Sequence, residues 1–361
     1  MYTRTPRLEI YPDRIAENVR YILEMCHAHG AQVACVSKVM CAHPVILEVF
    51  VNNGADMLAD SRAQNLKLIA ELHPQIPRLL LRPPALGGVA DVIRYADYSL
   101  HSSLETLRQL SQAAEGSRFP HHVIVMVDVG DLREGVWPDQ VVSLVTAAAG
   151  LPNLEIAGLG TNLACYGGVI PTPENMQVLI NCRDACREAT GLSLDLLSGG
   201  NSANLPLLAS GGMPPEINHF RIGEAIILGR NVLDRSALPG TRQDGTRVVA
   251  EVIELESKPS IPIGPRGQDA FGDQVEFVDS GIRKRALLNL GRQDVDIEGL
   301  MPEDEGIIIL GGSSDHLVLD ISDAHTALKL GDEVAFIPSY SALLAASTSP
   351  YVEKVVIQGL S

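Results

Sequence analysis

Between about residue 12 and residue 234 a short apolar run and a helical stretch alternate eight times. The apolar runs are VACVS (33–37), DMLAD (56–60), RLLLR (78–82), YSLHS (98–102), HVIVMVDV (122–129), EIAGLGTN (155–162), LDLLS (194–198) and FRIGEAI (220–226). Amphipathic stretches such as IAENVRYILEMCHAH and SLETLRQLSQAAE lie between them. Strand, helix and parallel strand repeated in this way is the recipe for a closed (β/α)8 TIM barrel of about 250 residues. An open doubly wound sheet is the alternative, and eight regular units favour closure.

Past Asp234 the pattern changes. RVVAEVIEL, QVEFVDSG, EGIIILGG, HLVLDIS and DEVAFIP are strand-like runs parted by Gly, Pro and Asp turns, with no helices between them. The sequence therefore predicts an α/β chain: a barrel over residues 12–234 and a C-terminal mainly-β domain over 235–361. RLEIY (7–11) has no place in the barrel count, so residues 1–11 are expected to join the β domain.

The net charge of −16 divides into about −7 up to Asp234 and about −9 after it. Such a field repels nucleic-acid phosphates and anionic lipids but tolerates a cationic small molecule; it also serves solubility. No apolar run approaches the roughly 18 residues of a membrane span, and MYTRTPRLEIYP lacks the apolar core of a signal peptide. A cytoplasmic protein with no nucleic-acid or membrane partner is expected. The six cysteines form no C-x-x-C pair, which points to free thiols.

Chemistry in such barrels occurs at the C-terminal strand ends. That rule selects Lys38, Asp60 with Ser61, Arg82, His101 with Ser102, Asp128 with Arg133, Asn162, the segment Ser198–Ser202, Arg221 and Gly223. Lys38 follows a strand that patterning makes dry on both faces, so it is either an ion-paired strand end or a group placed for chemistry. The loops after strands seven and eight often hold phosphate, and here they carry SGGNS and Gly223. Taken alone, SGGNS also reads as an ordinary helix-capping loop. A lysine facing a phosphate cradle suits a phosphorylated aldehyde held as a Schiff base.

With these residues the chain resembles the fold-type III pyridoxal-phosphate (PLP) enzymes of the alanine racemase family, closest to the ornithine racemase-like branch. Val36-Ser37-Lys38 is similar to the V-x-K that carries PLP, and Ala42 stands where alanine racemases place a phosphate-binding tyrosine, a contact His43 could replace. VDVGDLREG resembles D-T-G-M-G-R-x-G, which gives Arg133 the substrate carboxylate. The modified lysine that often precedes this motif falls at Met126, so the resemblance implies another way of orienting Arg133. GLGTNLACYG puts Asn162 where the family stacks a histidine on the ring. LSGGNSAN implies phosphate contacts from Asn201 and Ser202, and RIGEAIILGR implies Arg221 at the pyridine nitrogen with Gly223 and Glu224 lending backbone to the phosphate. IPSYSAL makes Tyr340 a phosphate ligand from the β domain, with a core or turn tyrosine as its ordinary reading.

The resemblance implies pyridoxal 5′-phosphate as cofactor and racemisation by proton removal and return at Cα, with Lys38 as base on one face. In alanine racemases a β-domain tyrosine from the partner subunit serves the other face. Residues 276–291 contain no tyrosine, and Asp279 is the nearest ionisable candidate, a turn aspartate being its ordinary reading; Cys165, Tyr166 and His316 stand in reserve. GGSSDHLVLD points to Ser314 and Asp315 near the substrate carboxylate. Asp279, Asp315 and Glu224 could receive a cationic side chain, which favours ornithine or another basic amino acid over alanine. A metal-dependent D-hydroxyamino-acid aldolase, a decarboxylase and a non-catalytic PLP carrier are the rivals. They lack support in turn: no metal-ligand pattern surrounds His316 and His325, no cysteine follows Cys186, and carriers have no β domain. Shared active sites imply a head-to-tail homodimer.

Overall fold

The computed structural model describes residues 5–358 apart from 273 and 275. The chain forms two compact units, one from Pro12 to Gln243 and the other from the residues up to Tyr11 together with those from Asp244 onward.

In the second of these units β1 (Arg7–Ile10) precedes the barrel in the chain. The barrel itself is built from β2 (Gln32–Val36), β3 (Met57–Asp60), β4 (Arg78–Leu80), β5 (Tyr98–His101), β6 (His121–Met126), β7 (Leu154–Gly160), β8 (Leu196–Gly200) and β9 (His219–Ile222). All are parallel, and β9 pairs back onto β2, so the sheet closes. Alternate residues fill the interior: Ala34, Val36, Met57, Ala59, Leu79, Leu100, Ile124 and Met126 make one buried cluster.

The helices between strands begin and end on local signals. Helix Pro173–Thr190 starts with a reciprocal Thr172–Asn175 capping box and a proline, and stops at Gly191 with φ 72. Residues 235–243, beyond the change in composition, stay with the barrel unit. Asn18 fastens them by donating to Arg242 O at 2.8 Å and accepting from Arg242 N at 2.7 Å.

The other unit is an eight-stranded sheet. Its strands after the barrel are β10 (Thr246–Pro259), β11 (Ile282–Leu288), β12 (Leu300–Pro302), β13 (Ile308–Gly312), β14 (Leu317–Asp320), β15 (Glu333–Pro338) and β16 (Glu353–Val356). The order is β12-β15-β10-β11-β14-β13, with β1 antiparallel to β10 and parallel to β16. Arg7 braces this sheet by side-chain bonds to Glu9 at 2.6 Å and Glu333 at 2.6 Å.

Two local expectations change. The described residues of QVEFVDSG are not a strand: the Asp279 carboxylate binds Gly281 N at 3.0 Å, the run turns, and pairing begins only at Ile282. A helix, Tyr340–Thr348, also interrupts the strands, started by Ser339 accepting from Ala342 N and sustained by an alanine-rich run.

Candidate active site

β2 ends at Val36, and Lys38 opens a single 3-10 turn, Lys38–Met40. Cys41 and Ala42 then take positive φ values of 50 and 53, unusual for two successive residues with side chains. Strain of this kind is kept where the surroundings enforce it, commonly at working sites. Beneath the lysine, Ser37 Oγ donates to Asp60 Oδ2 at 2.8 Å. Asp60 also accepts from Arg62 N at 2.9 Å and Asn65 Nδ2 at 3.0 Å. Burial raises the Asp60 carboxyl above its ordinary value against the pull of these donors.

Within the barrel unit, among the described residues, the Lys38 amine is in no hydrogen bond or ion pair, although the Glu224 carboxylate feels its charge. Glu224 itself is paired with Arg235. Burial raises its carboxyl while the Arg235 charge works the other way.

Arg221 enters the barrel interior from β9, in register with Ala34 on β2. Its Nη2 donates to Thr161 O at 2.7 Å and its Nη1 to Ser198 Oγ. Ser198 Oγ also lies 2.7 Å from His219 Nδ1. A guanidinium only donates, so the Ser198 oxygen accepts from Arg221 while it also bonds the His219 ring. Burial pushes Arg221 down to about 10, leaving it cationic near neutrality, and pushes His219 down to about 3. Neither partner of Arg221 is a carboxylate. Gly160 makes room for this column, since a Cβ there would meet Ile124, Met126 and Ser198 at 3.1–3.2 Å.

Beside it, Asn201 Nδ2 donates to Leu163 O at 2.8 Å, Asn162 Oδ1 at 3.1 Å and Cys165 Sγ at 3.1 Å. Asn201 Oδ1 accepts from Ala203 N at 2.7 Å, and Ser202 Oγ accepts from Ala225 N at 3.2 Å. Asn162 is buried, and its Nδ2 has no hydrogen-bond partner among the described residues. Gly223 lies so close to β2 that a Cβ would sit 2.9 Å from Val36 Cβ.

Arg133 lies on the loop after β6. Asp128 Oδ1 organises that loop by accepting from Gly130 N at 2.8 Å and Leu132 N at 3.2 Å. Buried Asp131 reaches across to the loop after β7, accepting from Cys165 N at 3.2 Å, Tyr166 N at 3.0 Å and Val169 N at 3.3 Å. Arg133 is ion-paired with Glu134, its neighbour in the chain.

The barrel unit thus gathers Lys38, Arg133, Asn162, Asn201, Ser202, Arg221, Gly223 and Glu224 at the C-terminal ends of its strands or in the loops that follow them. In the β unit, Asp279 is exposed, and its Oδ1 accepts from Gly281 N at 3.0 Å and Ser260 Oγ at 3.3 Å. Ser314 and Asp315 lie in the turn between β13 and β14. There Ser314 O accepts from Gln293 N at 3.2 Å and Asp315 Oδ1 from Gln293 Nε2 at 2.5 Å. Tyr340 opens helix Tyr340–Thr348. Sequence reasoning missed Glu134, Asp131 and His219. His219 was detectable, because it sits two residues before Arg221 and so shares its face of the strand. Among the described residues no three His, Cys, Asp or Glu side chains gather as a metal site, and no helix is long and apolar enough to cross a membrane.

A family profile described as the alanine racemase N-terminal domain matches residues 10–231. The ornithine racemase of Acetoanaerobium sticklandii is 41% identical over 353 residues, covering 98% of this chain and 99% of that one. The lysine racemase of Thermotoga maritima is 39% identical over 350 residues, covering 97% and 98%. Among solved structures, alanine racemase from Bartonella henselae with covalently bound pyridoxal phosphate superposes with a TM-score of 0.75 at 15% identity, covering 98% of this chain and all of that one.

Proposed function

The chain belongs to the alanine racemase family, and from that premise we propose that it is a PLP-dependent racemase of a basic amino acid, ornithine or lysine. The observation that carries the reading is the pairing of β2 with β9 in the barrel wall. Among the described residues it sets an amine without an ion-pair partner, Lys38, just past the end of one strand and a buried cation without a carboxylate partner, Arg221, on its neighbour. The ornithine and lysine racemases that match nearly end to end support a basic side chain.

The residues present fit the cofactor. Among the described residues Asn162 Nδ2 is a buried donor lacking an acceptor, and Ser202 supplies a hydroxyl. Lys38 would hold the aldehyde, Arg221 the ring nitrogen, Asn162 the ring face, and Asn201, Ser202, Gly223, Glu224 and Tyr340 the phosphate. When bound, PLP is an electron sink that acidifies the substrate Cα–H.

The chain's own groups then move and place the proton. The Lys38 amine would take it from one face of Cα. Arg221, a cation that only donates, would sit at the ring nitrogen where a carboxylate would be needed to keep that nitrogen protonated, which would limit charge withdrawal and favour return of the proton to Cα. Arg133, with Ser314 and Asp315, orients the substrate carboxylate. The second face is served by Asp279 from the β unit of another copy, in a head-to-tail homodimer, and the chain works in the cytoplasm.

Incubating the purified protein and PLP with L-ornithine, L-lysine or L-alanine in deuterated water, followed by chiral separation, tests this. Deuterated D-ornithine or D-lysine is expected. Exchange with alanine alone would overturn the basic-substrate reading, and no exchange with any of them would overturn racemisation.

A further inference from the structure

We propose that Glu134 is the positioning residue that aims Arg133, holding one edge of its guanidinium so that the other is presented to the substrate carboxylate. The inference rests on the role given to Arg133 above. Glu134 grips the Nε–Nη2 edge with both oxygens, the Nη2–Oε1 distance being 2.5 Å. Within the barrel unit, among the described residues, no other bond engages the guanidinium, so the Nη1–Nη2 edge is left for a second fork. The Glu134 side chain is 18% exposed and that of Arg133 39%, so the carboxylate is the more deeply anchored partner.

The loop beneath them is stiff. A bridge joins Val127 to Val136, Asp128 caps two amides, and Gly135 has φ 137 with a Cβ that would clash with the backbone of Asp128. Glu134 is therefore delivered to one place. A freely rotating arginine would lose side-chain entropy on meeting a substrate; one already clamped has lost most of it.

A second observation joins the pair to the cofactor-facing cation. Arg221 has no carboxylate among its hydrogen-bond partners, yet it feels the opposite charge of Glu134 and the like charge of Arg133. The charge of Glu134 thus offsets part of the repulsion between the two guanidinium groups. Met126, apolar and fully buried in the barrel wall, cannot supply that charge.

The test uses PLP-loaded protein carrying Glu134→Gln, Glu134→Asp or Glu134→Ala, with Arg133→Ala for comparison. Acetate, a bare carboxylate, is titrated against the visible absorption of the bound cofactor, and KM, kcat and the thermal midpoint are measured alongside. Gln and Ala should weaken acetate binding and raise KM about tenfold, with most of the loss in KM rather than kcat. Asp should recover most of it, Arg133→Ala should lose acetate binding, and midpoints should stay near wild type. Wild-type acetate affinity in Glu134→Gln, or a midpoint falling in step with KM in all three variants, would overturn the proposal. If the wild-type protein exchanges no α-hydrogen, the racemase reading fails by itself, and the acetate series still judges the clamp.

Discussion

The Ser198 hydroxyl and His219 Nδ1 lie 2.7 Å apart in the barrel interior, and both residues are fully buried. Arg221 donates to the same hydroxyl, so this one oxygen serves a cation and an imidazole at once. Ser198→Ala leaves Arg221 Nη1 and the His219 nitrogen unmatched in a dry interior and should cost about 2–3 kcal/mol. Urea denaturation without cofactor reads it as a lower midpoint; an unchanged midpoint would mean that the hydroxyl is not the bridge.

Acid should weaken the fold early. Burial pushes His101 down to about 3, His121 to about 4 and His219 to about 3. The unfolded chain protonates these rings near pH ~6.5, so between about 6.5 and 4 it binds protons that the native state refuses. Stability should be intact above that window and fall as pH drops through it, by up to about 1.4 kcal/mol per pH unit for each ring. Urea midpoints measured across the window check this, and His121→Gln should flatten the slope. A midpoint independent of pH there would contradict it.

Lys38→Ala should abolish both covalent retention of PLP and racemisation while leaving the cofactor-free protein folded, because the amine holds no ion pair in the barrel unit among the described residues. Mass spectrometry after borohydride reduction decides it. A cofactor adduct remaining on the variant would place the attachment elsewhere.

The second proton carrier separates by replacement. If Asp279 serves the far face, Asp279→Asn should lose racemisation at least a hundredfold, on the order of one general acid–base group, yet still wash deuterium into one enantiomer without inversion. Cys165→Ser should racemise nearly as well as wild type. The reverse result would move the role to the Cys165 thiol, which lies by Asn201 in the barrel mouth.

Buried Asp131 ties the loops after β6 and β7 by three backbone N–H bonds. Asp131→Ala should loosen residues 163–170, visible as faster amide exchange there. Exchange as slow as wild type would show that the carboxylate is dispensable.

The barrel was legible because each strand is a short apolar run with its own turn signals, and the periods of two and 3.6 differ plainly over such lengths. The β unit was less so. β12 is three residues long and β16 is mostly charged or β-branched, so neither has enough pattern to announce itself. The stretch around Asp279 has the apolar residues of a strand but ends in Asp-Ser-Gly, and the turn chemistry won. At the site, Lys38 and Arg221 stood out as charges among apolar residues. Glu134 did not, since a charged residue beside a charged residue in a loop reads as solvated surface. Only its bonding geometry sets it apart.

Arg7 pairs with Glu353 as well as with Val249, so β1 has one neighbour on each side that is made only after the whole barrel. During synthesis the barrel can close as soon as its own eight strands have left the ribosome. β1 must wait for β10 and then, with its second edge still open, for β16, closures of long sequence separation that are entropically slow. A nascent chain halted before residue 353 would therefore carry a finished barrel and an open β-sheet edge, the species on which chaperones and proteases would act.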